Sequence, residues 1–148
     1  MECAIKKRIA DGIKYGVGYT LALMIFGTVI LEIIAVPLCS AFGLSAETES
    51  LCISATRIIS LSFVFAGINI ALQGVFQALD CGLSSLIVSL CRQLLFVLPV
   101  IYGLSLLISP DLQNAWIIWL TFIIAEFTTA VIAVGLMLKT YKNKVKNI

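Results

Sequence analysis

Four apolar runs, at about residues 15–42, 51–79, 83–107 and 116–138, each exceed the ~18 residues that mark a membrane-spanning helix. No other feature of the chain constrains its fold as strongly. Hydrophobic residues make up 61% of the 148 and charged residues 12%, where a soluble domain carries about 25% charged residues. The mean hydropathy is +1.10. A soluble core of this size could not hide so much apolar surface, because small domains leave a large share of their surface exposed. Lipid must therefore be the solvent for much of the chain. The fold expected is an all-α integral membrane domain over residues 1–148, with four transmembrane helices. A soluble enzyme, a nucleic-acid-binding module and a disordered segment are excluded. The net charge of +2 is too small to imply a polyanionic partner.

Breakers separate the runs. The first has Pro37 near its outer end, stops at Gly43 and is followed by the loop from Leu44 to Glu49. Asp80-Cys81-Gly82 ends the second, and Ser109-Pro110-Asp111 ends the third. Connections this short make neighbouring helices antiparallel. Lys6, Lys7, Arg8 and Lys14 precede the first run, and Lys139, Lys142, Lys144 and Lys146 follow the last. The two loops on the opposite side carry Glu47, Glu49 and Asp111 and no lysine or arginine. The positive-inside rule then puts both termini in the cytoplasm. Trp116 and Trp119 stand at the outer end of the fourth run, where an aromatic belt is expected. The first run is too long for a signal-peptide core and has no small-residue cleavage site, so it reads as a retained span. The location expected is a cell membrane, crossed several times.

The second run carries two contrasting faces. Gly67, Ala71, Gly74 and Ala78 fall within a narrow stripe at ~100° per residue. Such stripes let helix backbones approach closely in lipid. Asn69, Gln73 and Gln77 form an amide stripe on roughly the opposite face. Unpaired amides deep in a bilayer cost free energy, so this helix should be surrounded by protein, or by protein and a wet cavity. The amides then either bond neighbouring helices or line the cavity.

Charges inside spans need an account. Arg92 lies ~13 Å into the third run and Glu126 near the middle of the fourth, at depths that agree within ~5 Å. Arg92 either snorkels toward the inner headgroups or pairs with Glu126, which cannot reach water so easily, and the Arg92–Glu126 pair is the hypothesis offered. Glu32, in the outer half of the first run, is expected in a solvated position. Pro99 lacks a backbone donor and should bend or loosen the third helix.

The five cysteines, Cys3, Cys39, Cys52, Cys81 and Cys91, show no CxxC and no zinc-ligand spacing, and read as small apolar filler. Cys39 and Cys52 flank one loop and could pair, but an odd count in a multi-pass chain does not suggest a disulfide framework. The chain has no histidine, which removes the commonest metal ligand and the usual general base. No serine–histidine dyad or zincin motif exists, so neither catalytic nor metal-binding residues nor a bound cofactor are expected.

Several segments taken together resemble a known family. The run from Arg57 to Phe63, continuing through Ala66-Gly67-Ile68-Asn69 to Gly74-Val75-Phe76-Gln77-Ala78-Leu79, is similar to the tenth helix of the MATE (multidrug and toxic compound extrusion) transporters. Ser89 to Leu95 and Leu98-Pro99 look like the eleventh helix, and Trp116 with Ile124-Ala125-Glu126 like the twelfth. Lys7-Arg8-Ile9 and Gly12 to Gly16 look like the lead into the ninth. The resemblance covers nearly the whole chain and is closest to bacterial members. Departures exist: Asp80-Cys81 stands where many relatives have glycine and a basic residue, and Phe122-Ile123 replaces a common proline. Around Ala66 to Asn69 there is no carboxylate, so a cation site of that helix is not carried over.

The resemblance implies a piece of a twelve-span, two-lobed antiporter that exports cationic or amphipathic compounds in exchange for sodium ions or protons. This chain would supply the last four helices of the second lobe. Its partners would be the bilayer, the first lobe with helices seven and eight, and organic cations. Asn69, Gln73 and Gln77 would line the substrate cavity, while Arg92 and Glu126 would serve packing. Alone it is not expected to transport, because alternating access needs two lobes. Two other readings stand beside this one. One is a small stand-alone membrane protein that binds or regulates a complex. The other is a piece of a polysaccharide or lipid flippase, for which only Arg57 and Arg92 offer basic charge near the spans.

Overall fold

The computed structural model describes residues 2–108 and 114–142, with side chains from residue 7 onward. Ser109, Pro110, Asp111, Lys144 and Lys146, and the side chains of Cys3 and Lys6, lie outside the described residues. All the regular structure described is helical. Helix α1 covers Glu2–Ser40 and α2 covers Ala46–Ala78. The third span, Gly82–Ser105, consists of α3 (Gly82–Leu90), a π-helical stretch Cys91–Phe96 and α4 (Val97–Ser105). The fourth opens with a 3₁₀ segment, Ala115–Trp119, and continues as α5 (Leu120–Thr140). Four helices are thus long and apolar enough to cross a membrane, as the hydropathy pattern requires.

Helix ends differ from the apolar runs at two places. Helix α1 begins well before residue 15, because the basic lead contains no proline and lysine and arginine are good helix formers. The segment read as a loop from Leu44 to Glu49 is shorter than expected, since Ala46 to Glu49 form the first turn of α2. Glu47 and Glu49 in that turn face the positive end of the helix dipole. Gly43, at φ +61°, provides the left-handed residue that ends α1.

Contacts between helices fix their directions. Cys39 meets Cys52, Glu32 meets Ser60 and Met24 lies beside Gly67, so α1 and α2 run antiparallel. Gln73 bonds Ser89 and Gln77 bonds Ser85, so α2 and α3 are also antiparallel. Arg92 meets Glu126 where the third span passes α5. The result is an up-and-down bundle in which the start of α1 and the end of α5 share one end.

Helix α2 is the centre of the bundle. It packs on α1, α3 and α5, and 39% of its apolar window is buried, against 11% for the first span. The apolar core, Leu72, Phe76, Val88, Ala133 and Met137, sits toward the end that holds the termini. On α1, Tyr19, Leu23, Phe26 and Ile33 stay at least 65% exposed, an outward face that only lipid or further protein can cover.

Candidate functional site: a polar cluster between α2, α5 and the π stretch

The π stretch has a local cause. Pro99 cannot donate to the Leu95 carbonyl, and its ring crowds that oxygen. The turns just before it widen to the i→i+5 pattern over Cys91–Phe96. The loosening that Pro99 imposes on the third span takes the form of this π stretch. A wider turn brings consecutive residues toward one side, and both Arg92 and Gln93 line the same cavity.

That cavity, of about 390 Å³, lies among all four spans, with Met24, Ser62, Phe63, Arg92, Phe122 and Glu126 in its wall. Arg92 Nε stands 3.1 Å from Glu126 Oε1. On the other side, Asn69 Nδ2 donates to Glu126 Oε2 at 2.8 Å and to the Glu126 backbone carbonyl at 3.0 Å. Both carboxylate oxygens are therefore engaged, one by a cation and one by an amide. Glu126 is only 9% exposed and Asn69 is fully buried. A charge so placed is tolerable because it is paired and hydrogen-bonded.

The expected Arg92–Glu126 pair is therefore present. Its third member, Asn69, was expected on the amide face but with no partner named. Gln73 Oε1 accepts from the Ser89 hydroxyl at 2.9 Å, and Gln77 Nε2 donates to Ser85 at 3.2 Å. The three amides thus each bond a neighbouring helix, and none is in the wall of the cavity beside Arg92 and Glu126. Serines on α3, at i and i+4, match amides on α2 at the same interval, a complementarity the sequence carried unread.

The small-residue stripe faces α1. A Cβ on Gly67 would come 3.0 Å from Met24 Cγ and 3.3 Å from Met24 Cβ, so close approach occurs there. Further along, the helices leave a cavity of about 540 Å³ between Ala71, Gly74 and Ala78 on α2 and Gly12, Gly16 and Thr20 on α1. A Cβ at Gly12, Gly16 or Gly74 would meet nothing within 4 Å. Small residues on both helices leave the space unfilled.

A second ion pair lies nearer the α1–α2 connection, where Arg57 Nε stands 3.9 Å from Glu32 Oε2 and the Ser60 hydroxyl donates to Glu32 Oε1 at 2.6 Å. Glu32 is partly exposed, in keeping with the solvated position expected, and its partner Arg57 is not legible from periodicity or depth alone. Among the described residues no group of three His, Cys, Asp or Glu side chains could hold a metal ion. What the arrangement offers chemically is an internal carboxylate, held by one guanidinium and one amide, beside a largely apolar space between helices.

Comparison with protein-family models, with curated proteins and with solved structures finds no match.

Proposed function

We propose that the chain is the carboxy-terminal part of a MATE-type efflux antiporter, embedded in a bacterial cell membrane with both termini in the cytoplasm. The whole transporter would export cationic or amphipathic compounds in exchange for sodium ions or protons. The observation that carries this reading is the Arg92–Glu126–Asn69 cluster beside a cavity of about 390 Å³, on a span interrupted by a π stretch. Intramembrane charges and discontinuous helices recur where membrane proteins bind and move solutes. The exposed face of α1 and the open groove beside Gly12, Gly16 and Gly74 support the presence of further helices. Arg92 and Glu126 brace α5 against the third span, and an organic cation with an apolar body would compete with Arg92 for the Glu126 carboxylate.

The deciding experiment is the size of the native product. A carboxy-terminal tag at the chromosomal locus, followed by blotting of membranes, should reveal a band about three times the 16.0 kDa of this chain. Cells carrying the larger product should expel a fluorescent organic cation, and cells carrying only this chain should not. A sole band at 16 kDa, or coupled export by this chain alone, contradicts the reading.

One observation favours a second reading, a small stand-alone membrane protein. Each amide of α2 finds at least one partner within the four helices, although Asn69 Oδ1 stays buried without one. The same blot separates the two.

A further inference from the structure

We propose that Cys39 and Cys52 form a disulfide site, a covalent staple across the linked ends of α1 and α2 made by exchange with a disulfide-bearing oxidant. The proposal rests on the orientation given above, which places these helix ends on the face away from the cytoplasm, where disulfides form and persist.

The two sulfurs lie 2.8 Å apart, as thiols. A covalent bond needs about 2.05 Å, so a shift of less than about 1 Å completes it. Cys39 is in the last turn of α1 and Cys52 in the second turn of α2. The five residues between the helices are held short by polar contacts: Ser40 bonds Glu49, and Ser45 bonds Thr48 at 2.9 Å. Thr56 lies 3.7 Å from Cys39 Sγ on the same side. The two thiols are therefore held face to face by the folded connection. The absence of a third metal-ligating side chain among the described residues leaves a dithiol.

Burial sets the order of events. Cys39 is fully buried and Cys52 partly exposed. The Cys52 thiolate attacks the oxidant's disulfide, forming a mixed disulfide and releasing one thiol. The Cys39 thiolate then attacks Cys52 Sγ and releases the second. Both S–H bonds are lost and one S–S bond forms. Two electrons and two protons pass to the oxidant, which leaves as two thiols. The product fastens α1, whose packing in the bundle is chiefly on α2, at the end opposite the apolar core.

The test has two arms. In the first, the full chain is purified in detergent as the dithiol and treated with oxidised glutathione. Free thiols are then blocked with N-ethylmaleimide, and the chain is reduced and labelled with a polyethylene-glycol maleimide. Two adducts are expected on the parent chain, on Cys81→Ser and on Cys91→Ser, one on Cys39→Ser, from the Cys52–glutathione mixed disulfide that has lost its resolving thiol, and none on Cys52→Ser, where only the buried Cys39 remains. A non-reducing digest of the parent chain should contain the Cys39–Cys52 cross-linked peptide, which needs no variant to fold. No adducts, or only dimers joined through other cysteines, overturn the proposal. In the second arm the same trapping is done on cells, alongside Ser45→Cys in a chain stripped of native cysteines and probed with a membrane-impermeant maleimide. Labelling of residue 45 from outside together with a free Cys39–Cys52 dithiol overturns the proposal while the orientation stands. Labelling only after the membrane is opened shows the orientation to be wrong, and the detergent arm then decides whether the site exists.

Discussion

Asn69 holds Glu126 at two points, its amide donating to the carboxylate at 2.8 Å and to the backbone carbonyl at 3.0 Å. The contact joins the central helix to the last one at a depth where water is scarce. It also places the carboxylate so that its second oxygen faces Arg92. Asn69→Leu removes both bonds but also removes Oδ1, which is buried with no hydrogen-bond partner. The expected loss is about 1 kcal/mol, the scale of interhelical bonds in membranes. Asn69→Asp sets two carboxylates against each other and should cost more. Unfolding by sodium dodecyl sulfate in mixed micelles measures both, and equal losses would contradict the assigned geometry.

Arg92 and Glu126 should be energetically coupled. Removing one partner leaves a charge with little access to water, at a cost toward the low end of ~3–5 kcal/mol given the partial exposure of Arg92. Arg92→Gln and Glu126→Gln together should cost clearly less than the sum of the single changes. A double-mutant cycle on the same unfolding signal gives the coupling. A value near zero would mean that Arg92 reaches the headgroups instead.

Gly67 and Gly74 belong to one stripe yet should respond in opposite ways. Gly67→Leu drives a side chain into Met24 and Leu21 and should separate α1 from α2, costing about 1–3 kcal/mol. Gly74→Ala enters open space and gains about 0.5–1 kcal/mol of helix propensity in this chain. If further helices fill that groove in a larger transporter, the same Gly74→Ala should lower the stability of the whole protein. Thermal unfolding of both forms makes the comparison.

Pro99→Ala restores the donor that the Leu95 carbonyl lacks. The π stretch should revert toward α-helix, and the side chains of Arg92 and Gln93 should rotate away from their present positions. Stability should rise while the Arg92–Glu126 coupling falls. Repeating the double-mutant cycle in the Pro99→Ala background checks this, and an unchanged coupling would show that the π stretch does not position Arg92.

Much of this architecture is legible in the sequence because a membrane simplifies the problem. Hydropathy and breakers reveal four spans, since a lipid-exposed backbone must satisfy its own hydrogen bonds as helix. Short connections imply alternating directions. Axial rise per residue gives each charged residue a depth, and that was enough to bring Arg92 and Glu126 together. The stripe of Gly67, Ala71, Gly74 and Ala78 follows from helical periodicity alone.

Depth along an axis says nothing about how a helix is turned toward its neighbours. Only the tertiary structure decided that Asn69 meets Glu126, that Gln73 and Gln77 meet serines of α3, and that Glu32 meets Arg57. It alone showed that the small stripe closes on α1 at Gly67 and opens into a cavity beyond it. The Cys39–Cys52 approach belongs to the same class, since it depends on the rotation of two helix ends across a five-residue connection. Periodicity and hydropathy act within one helix and are written in local sequence. Rotation and register between helices arise from packing of the whole bundle, so they become visible only when the helices are assembled.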